Sequence, residues 1–182
     1  MRVQISVSVR TLSLEIAAPK LWNYLNDHDF IFERRKSAIY RGRPRFSIFG
    51  IGDYSFAPFK VAVSGFYKDP RFRFIAPING RSVILDDTCY FIACQYPEQA
   101  AFVTALLNHK TALDFLRSAM FRDAKRPITK RLLQRIDLIA LLDHVKGEEI
   151  LSAAKSELRH LSKTDKPFVW EPDFLFQKRV AL

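Results

Sequence analysis

The chain has 182 residues, 48% of them hydrophobic, and a formal net charge of +10, which suits one soluble domain with a real core. No apolar run reaches the roughly 18 residues that cross a bilayer, and no signal peptide is evident, so we expect a cytoplasmic protein without a membrane partner. Cys89 and Cys94 lack a second pair and a nearby histidine, so we expect reduced thiols and no metal site.

The basic residues are concentrated in the middle of the chain. From Arg34 to Arg135 there are 19 Lys and Arg against 7 Asp and Glu, whereas the remainder has 10 against 12. A local surplus of this size indicates a polyanionic partner. A basic surface that serves only solubility is the alternative.

The N-terminal part of the sequence predicts strands followed by a helix. Residues 2–17 alternate apolar and polar side chains, which predicts one or two strands. Pro19 then begins a predicted helix over 19–37, because its fixed φ suits a first helical turn. One face of this helix carries Leu21, Tyr24, Leu25, His28 and Phe32. A loop, IYRGRPR, follows, with Gly42 and Pro44 as helix breakers.

Short β-branched and aromatic runs between residues 46 and 94 predict five strands. These are FSIFGIG, FKVAVSG, RFRFIAPI, SVILD and TCYFIAC. The sequence I-N-G-R at 78–81 predicts a hairpin turn.

Helical periodicity returns after residue 96. PEQAAFVTALLNH, KTALDFLRSAMF and ITKRLLQRI predict helices, DLIALL a strand, and GEEILSAAKSELRHLSK a last helix before an aromatic tail. The pattern predicts an α+β fold with a small mixed or antiparallel sheet flanked by helices. We expect one domain over 1–145, followed by a C-terminal helix and tail over 146–182.

The sequence F-G-I-G-D at 49–53 resembles a nucleotide-binding glycine loop only superficially. Such a loop needs a helix after it, but Pro58 and the extended run FKVAVSG follow. We therefore expect no nucleotide cofactor here. Gly50 and Gly52 are better explained by a bulge or by close approach of the backbone to a ligand.

Two clusters combine basic and aromatic residues. RRKSAIYRGRPRF, beginning at Arg34, places six cations within twelve residues, and FRDAKRPITKR, beginning at Phe121, carries five more. Arginine binds phosphates and guanine edges, and aromatic rings stack on exposed bases. A helix that begins at Thr129 would also present its amide end to a phosphate.

The pieces RKSAIY, FGIGDYSFAPFKVAVSG, DDTCYF and AKRPIT occur in this order within residues 19–140. In this arrangement the chain resembles the C-terminal target-recognition part of adenine-specific (N-6) DNA methyltransferases of prokaryotic restriction-modification systems. The resemblance implies a sequence-specific module that binds double-stranded DNA while a catalytic methyltransferase domain or subunit modifies a flipped adenine.

The resemblance also implies where the chemistry lies. Those methyltransferases carry the S-adenosylmethionine loop and an Asn-Pro-Pro-Tyr-like motif in a separate domain. This sequence has nine prolines and no Pro-Pro pair. We therefore expect no cofactor and no activity from the chain alone.

Side-chain chemistry suggests specific contacts within the matching segments. We expect Asp53, Tyr54 and Lys60 to read bases, and Tyr40 to offer a ring for stacking. The expected phosphate contacts are Arg34, Arg35, Lys36, Arg41, Arg43 and Arg45, assisted by Lys125, Arg126 and Lys130.

Two alternative functions remain open at this point. A metal-dependent nuclease would use Asp86 or Asp87 together with Asp123 and Lys125. An interaction subunit would dock its aromatic tail on a larger protein. The tail residues concerned are Phe168, Trp170, Phe174 and Phe176.

Overall fold

The structure is a computed structural model that describes residues 11–48 and 50–159. The chain divides into two compact units, residues 1–55 (unit 1) and residues 56–182 (unit 2). The aromatic tail lies outside the described residues, as does the end of the last predicted helix beyond residue 159. The predicted division at residues 145/146 stays a prediction. Within the described part, no helix is long and apolar enough to cross a membrane.

Unit 1 contains short helices and turns. Its helices are α1 (Thr11–Ala17), α2 (Pro19–Asp27) and α3 (Asp29–Glu33), followed by a 3₁₀ turn at Ala38–Tyr40. The strand prediction is therefore wrong for residues 11–17, where Leu, Glu and Ala favour a helix. Residues 2–10 lie outside the described residues.

The helix predicted over 19–37 begins at Pro19 as expected but is interrupted. The His28 backbone N–H bonds to the carbonyls of Asn26 and Tyr24, and the ring Nδ1 lies 2.8 Å from the Tyr24 carbonyl oxygen. These contacts close α2, and α3 begins at the next residue. The predicted strand over 46–52 is absent from the described residues of that segment, which form turns instead.

Unit 2 is built on a three-stranded antiparallel sheet with the order β2-β1-β3. The strands are β1 (Phe59–Ser64), β2 (Arg73–Ile75) and β3 (Cys89–Cys94). Val61 of the central strand is paired with Phe74 on one side and with Ile92 on the other. The predicted α+β fold with a small antiparallel sheet is thus confirmed, although residues 82–86 form a loop rather than a strand.

The predicted turn at 78–81 is present. Asn79 and Gly80 have φ values of 50° and 74°, and Ile78 and Arg81 exchange two backbone hydrogen bonds of 2.9 and 3.0 Å. Positive φ at both central residues is the signature of a type I′ turn. The turn closes an isolated bridge instead of joining two of the sheet strands.

Five helices complete the described part of unit 2. They are α4 (Pro97–Asn108), α5 (Lys110–Ala119), α6 (Lys130–Leu133), α7 (Leu138–Leu142) and α8 (Gly147–Arg159). Helix α4 is buried from Ala100 to Leu107 because it contributes to two hydrophobic clusters. One cluster joins it to the sheet, α5 and α6, and the other joins it to α7 and α8.

The strand predicted for DLIALL is wrong, because this segment forms α7. The Asp137 carboxylate accepts hydrogen bonds from the backbone N–H groups of Ile139 and Ala140, at 2.9 and 3.1 Å. An N-cap of this kind satisfies the first amides of a helix and favours it over an extended chain.

Candidate nucleic-acid interface

Residues 34–45, which we call the basic segment, are held in place by one of their own arginines. Arg35 donates to the carbonyl oxygens of Phe32, Ser47 and Arg45 at 3.1, 2.5 and 2.6 Å. Its guanidinium also lies 4.1 Å from the ring centroid of Tyr40 and 4.8 Å from that of Phe32. Arg35 is half-buried, so it braces the segment from inside.

Arg45 is also occupied within unit 1. Its guanidinium binds both carboxylate oxygens of Asp29 and lies 3.4 Å from the Asn26 side-chain oxygen. A two-point contact between Arg and a carboxylate fixes geometry as well as charge. Arg45 therefore ties the end of the basic segment to the start of α3.

The remaining cations of the basic segment are exposed. Arg34 lies 5.8 Å from the Phe30 ring centroid. Within the described residues, no ion pair or side-chain hydrogen bond involves Lys36, Arg41 or Arg43. These three cations line an open pocket of about 250 Å³ together with Tyr40 and Arg35. The segment thus presents unpaired positive charge around a concave surface.

The glycine stretch forms a turn around Tyr54. The Tyr54 hydroxyl donates to the Gly50 carbonyl at 2.6 Å, and Gly50 has a φ of 78°. A Cβ on Gly52 would lie 2.8 Å from Tyr54 Cε1, so glycine permits the ring to lie against the backbone. Asp53 and Tyr54 are both exposed, as base readout requires. The predicted ligand contact at the two glycines stays a prediction.

Lys60 does not fit the predicted base contact, because its side chain is inside unit 2. It is 0% exposed, its Nζ donates to the Ala57 carbonyl at 2.6 Å, and the Phe91 ring centroid lies 5.8 Å away. Burial lowers the pKa of the Lys60 ammonium. The strand FKVAVS has all four central positions buried, so this lysine points into the protein on a strand without an exposed face.

The second cluster lies in the turns and bends before α6 and at the start of that helix. Lys125 and Lys130 are exposed, whereas Arg126 is half-buried and pairs with Asp87 through a 3.3 Å contact. The hydroxyl of Thr129 accepts a hydrogen bond from the Leu132 N–H at 3.2 Å. Since α6 has only four residues and its own cap, the helix N-terminus carries no phosphate assignment.

Three segments meet at the end of β1 and the start of β3. The Gly65 N–H donates to the Thr88 carbonyl at 2.8 Å, and the Ile128 N–H donates to the Gly65 carbonyl at 3.3 Å. We call this place the Gly65 junction. It brings together parts of FKVAVSG, DDTCYF and AKRPIT, which lie far apart in the sequence.

Two aromatic residues at this junction were not among the site residues predicted from the sequence. Phe66 and Tyr67 are 40% and 52% exposed, and the Arg126 guanidinium lies 5.0 Å from the Phe66 ring centroid. Exposed neighbouring rings after a glycine at a strand end would have been a usable signal, because turns display their side chains on the surface.

The described residues do not form the cluster of acidic side chains that the nuclease alternative requires. Asp86 accepts hydrogen bonds from the Thr88 N–H and hydroxyl, which lower the pKa of the Asp86 carboxyl. Asp87 is paired with Arg126. Among the described residues, no group of three or more His, Cys, Asp and Glu side chains is placed to hold a metal ion.

Both cysteines are free thiols, as expected. Cys94 is buried, and burial raises the pKa of its thiol to about 12, whereas Cys89 is half-buried. A thiol with so high a pKa stays protonated near neutral pH and is a poor nucleophile.

The described residues form an α+β fold with a small antiparallel sheet and several exposed cations. The chain is similar to the type II methyltransferase M.NspV of Nostoc sp. (strain ATCC 29411 / PCC 7524), with 48% identity over 124 residues. The match covers 68% of this chain but 26% of that methyltransferase, so the chain spans about a quarter of its relative's length. No protein-family model and no solved structure matches the chain.

This similarity confirms the resemblance at the level of a type II methyltransferase. The assignment to a target-recognition part and the specificity for adenine stay predictions.

Proposed function

We propose that the chain is a sequence-specific DNA-binding module of an N-6 adenine methyltransferase in a restriction-modification system. Its partner would be double-stranded DNA, and methyl transfer would take place on a catalytic domain or subunit outside this sequence. The similarity to a quarter of M.NspV supports a role as part of a methyltransferase.

The observation that supports the binding role is that the basic segment contains two kinds of cation. Some are engaged within the protein, and others are exposed. Arg35 and Arg45 are bound to carbonyls, rings and Asp29, whereas Lys36, Arg41 and Arg43 are exposed around the pocket. A rigid loop with free cations loses little conformational entropy when it contacts phosphates. Lys36, Arg41 and Arg43 are therefore the principal phosphate contacts, with Arg34 beside them.

Fewer residues are proposed to contact bases than the sequence predicted. Asp53 and Tyr54 are exposed, and the Tyr54 hydroxyl donates to the Gly50 carbonyl, so both are retained as base-reading residues. Lys60 is removed from this set because its ammonium is enclosed. Lys125 and Lys130 provide further phosphate contacts on unit 2, and Arg126 first has to leave Asp87 to join them.

The test is selection of bound duplexes from a randomised DNA library by the full chain, alone and mixed with candidate methyltransferase chains. Enrichment of one short motif is expected. The variant Tyr54→Phe should reduce the degree of enrichment more than the affinity, because the ring remains but its hydroxyl is lost.

Tyr96→Phe is the matched control, since Tyr96 is 64% exposed on unit 2 and has no assigned role. Binding without any preferred motif would reject the specificity role. Absence of duplex binding under all conditions would reject the DNA-binding role itself.

A further inference from the structure

The Gly65 junction presents two aromatic rings, those of Phe66 and Tyr67, on a backbone that hydrogen bonds hold in place. After β1 the chain turns, and the N–H groups of Phe66 and Tyr67 donate to the side-chain and main-chain oxygens of Ser64, at 3.3 and 3.4 Å. The bonds of Gly65 to Thr88 and Ile128 hold this turn against two other segments. The rings are therefore exposed, while the backbone that carries them is held by hydrogen bonds.

Three cations on the segments of the junction can contact phosphates beside the rings. The Arg126 guanidinium lies over the Phe66 ring, and Lys68 and Lys125 are exposed on the same segments. Three of the neighbouring carboxylates have partners in the protein, and Asp123, on the same segment as Lys125, is exposed. Asp87 pairs with Arg126, Asp86 with Thr88, and Asp69 with Arg117 at 2.9 Å.

We infer that Phe66 and Tyr67 form a stacking platform for an unpaired base of bound DNA. The inference deepens the proposed function and rests on it. The face of an unpaired base stacks on an aromatic ring regardless of its identity, while cations neutralise the phosphates that flank it. Both requirements are present together at the Gly65 junction, and its rings serve no hydrophobic cluster among the described residues.

The experiment compares two 20-base-pair duplexes that differ by a single unpaired 2-aminopurine in one strand. The full chain should bind the bulged duplex about tenfold more tightly than the fully paired one, since stacking on one ring is worth about this much. Fluorescence of the 2-aminopurine should fall on binding, because stacking quenches it.

Phe66→Leu and Tyr67→Leu, made singly, should each remove most of the preference for the bulged duplex and most of the quenching. Phe115→Leu is the matched control, because Phe115 and Phe66 are both 40% exposed and both lie on unit 2. Thermal melting of the three variants should stay close to that of the parent. If Phe66→Leu melts early, Tyr67→Leu decides the question.

The outcomes separate the two proposals. Equal affinity for both duplexes, or a preference that survives both substitutions, overturns the stacking platform but leaves salt-dependent duplex binding intact. Failure of the parent chain to bind either duplex overturns the proposed function and the platform together. A loss of preference in Phe115→Leu equal to that in Phe66→Leu also overturns the platform, because the effect would then not be local.

Discussion

The two units are held together by different interactions. No residue of α2 or α3 is buried, and unit 1 relies on the hydrogen bonds of Arg35, the Arg45–Asp29 pair and edge-to-face contacts of the Phe46 ring with Trp22 and Phe32. Unit 2 is built on buried hydrophobic clusters around α4. The cations of unit 1 therefore cannot all be counted as ligand contacts, because some of them maintain the fold.

The largest expected effect is cavity formation in unit 2. Leu116 is 0% exposed in the cluster that joins α4, α5 and the sheet. Leu116→Ala should lower the free energy of unfolding by about 2–5 kcal/mol, measured by urea denaturation followed by circular dichroism. In unit 1, Leu21→Ala should cost under about 0.5 kcal/mol, since Leu21 is 47% exposed. Similar losses in the free energy of unfolding for both variants would contradict the difference drawn between the two units.

A smaller loss is expected at the Gly65 junction. A Cβ on Gly65 would lie 3.2 Å from the Thr88 carbonyl oxygen and 3.3 Å from that of Ile128, both of them backbone atoms. Gly65→Ala should therefore destabilise unit 2 by about 1–3 kcal/mol in the same assay. The control is Gly147→Ala, where nothing lies within 4 Å and stability should not fall. A neutral Gly65→Ala would show that the three segments are not tightly joined.

Loss of the Arg35 hydrogen bonds should make only the basic segment more accessible to proteases. Arg35→Gln removes hydrogen bonds to main-chain carbonyls, and one such charge-assisted bond contributes about 1.5 kcal/mol. Trypsin cleavage after Arg41 should therefore become about tenfold faster. Arg34→Gln, which removes a ring contact without a hydrogen bond, should change the rate far less. Equal acceleration in both variants would contradict a special role for Arg35.

The smallest effect concerns the buried Lys60. Burial lowers the pKa of the Lys60 ammonium below the 10.5 of the unfolded chain, so the folded protein releases this proton at lower pH than the unfolded chain. The cost of the buried charge is present at low pH and is relieved as pH rises towards 10.5. The stability of the parent relative to Lys60→Met should therefore increase from pH 7 to pH 10. A stability difference that stays constant from pH 7 to pH 10 in urea titrations would contradict this expectation.

The helices of unit 2 were largely predictable because their signals are local. Pro97 opens α4, Thr129 caps α6, and apolar spacing marks α5. The strand assigned to DLIALL failed because a short apolar run suits either structure, and the Asp137 cap decided for helix.

The candidate site was less predictable, because it depends on contacts between distant residues. The sequence places Arg35, Arg41 and Arg45 alike in one basic run, but only tertiary contacts show that two of them are engaged. Lys60 was likewise predicted to contact bases, but the central positions of β1 are buried on both faces. Local patterns therefore located the basic segment and could not assign its side chains.

The most direct test of the phosphate contacts is the salt dependence of duplex binding. The triple variant Lys36→Gln, Arg41→Gln and Arg43→Gln should reduce the slope of log affinity against log salt by about 2.7, since each phosphate contact contributes about 0.9. A control with the same net charge, Arg71→Gln, Arg81→Gln and Lys155→Gln, replaces three exposed cations of unit 2 and should leave the slope nearly unchanged. A slope unaltered in the first variant, or reduced equally in both, would contradict the account.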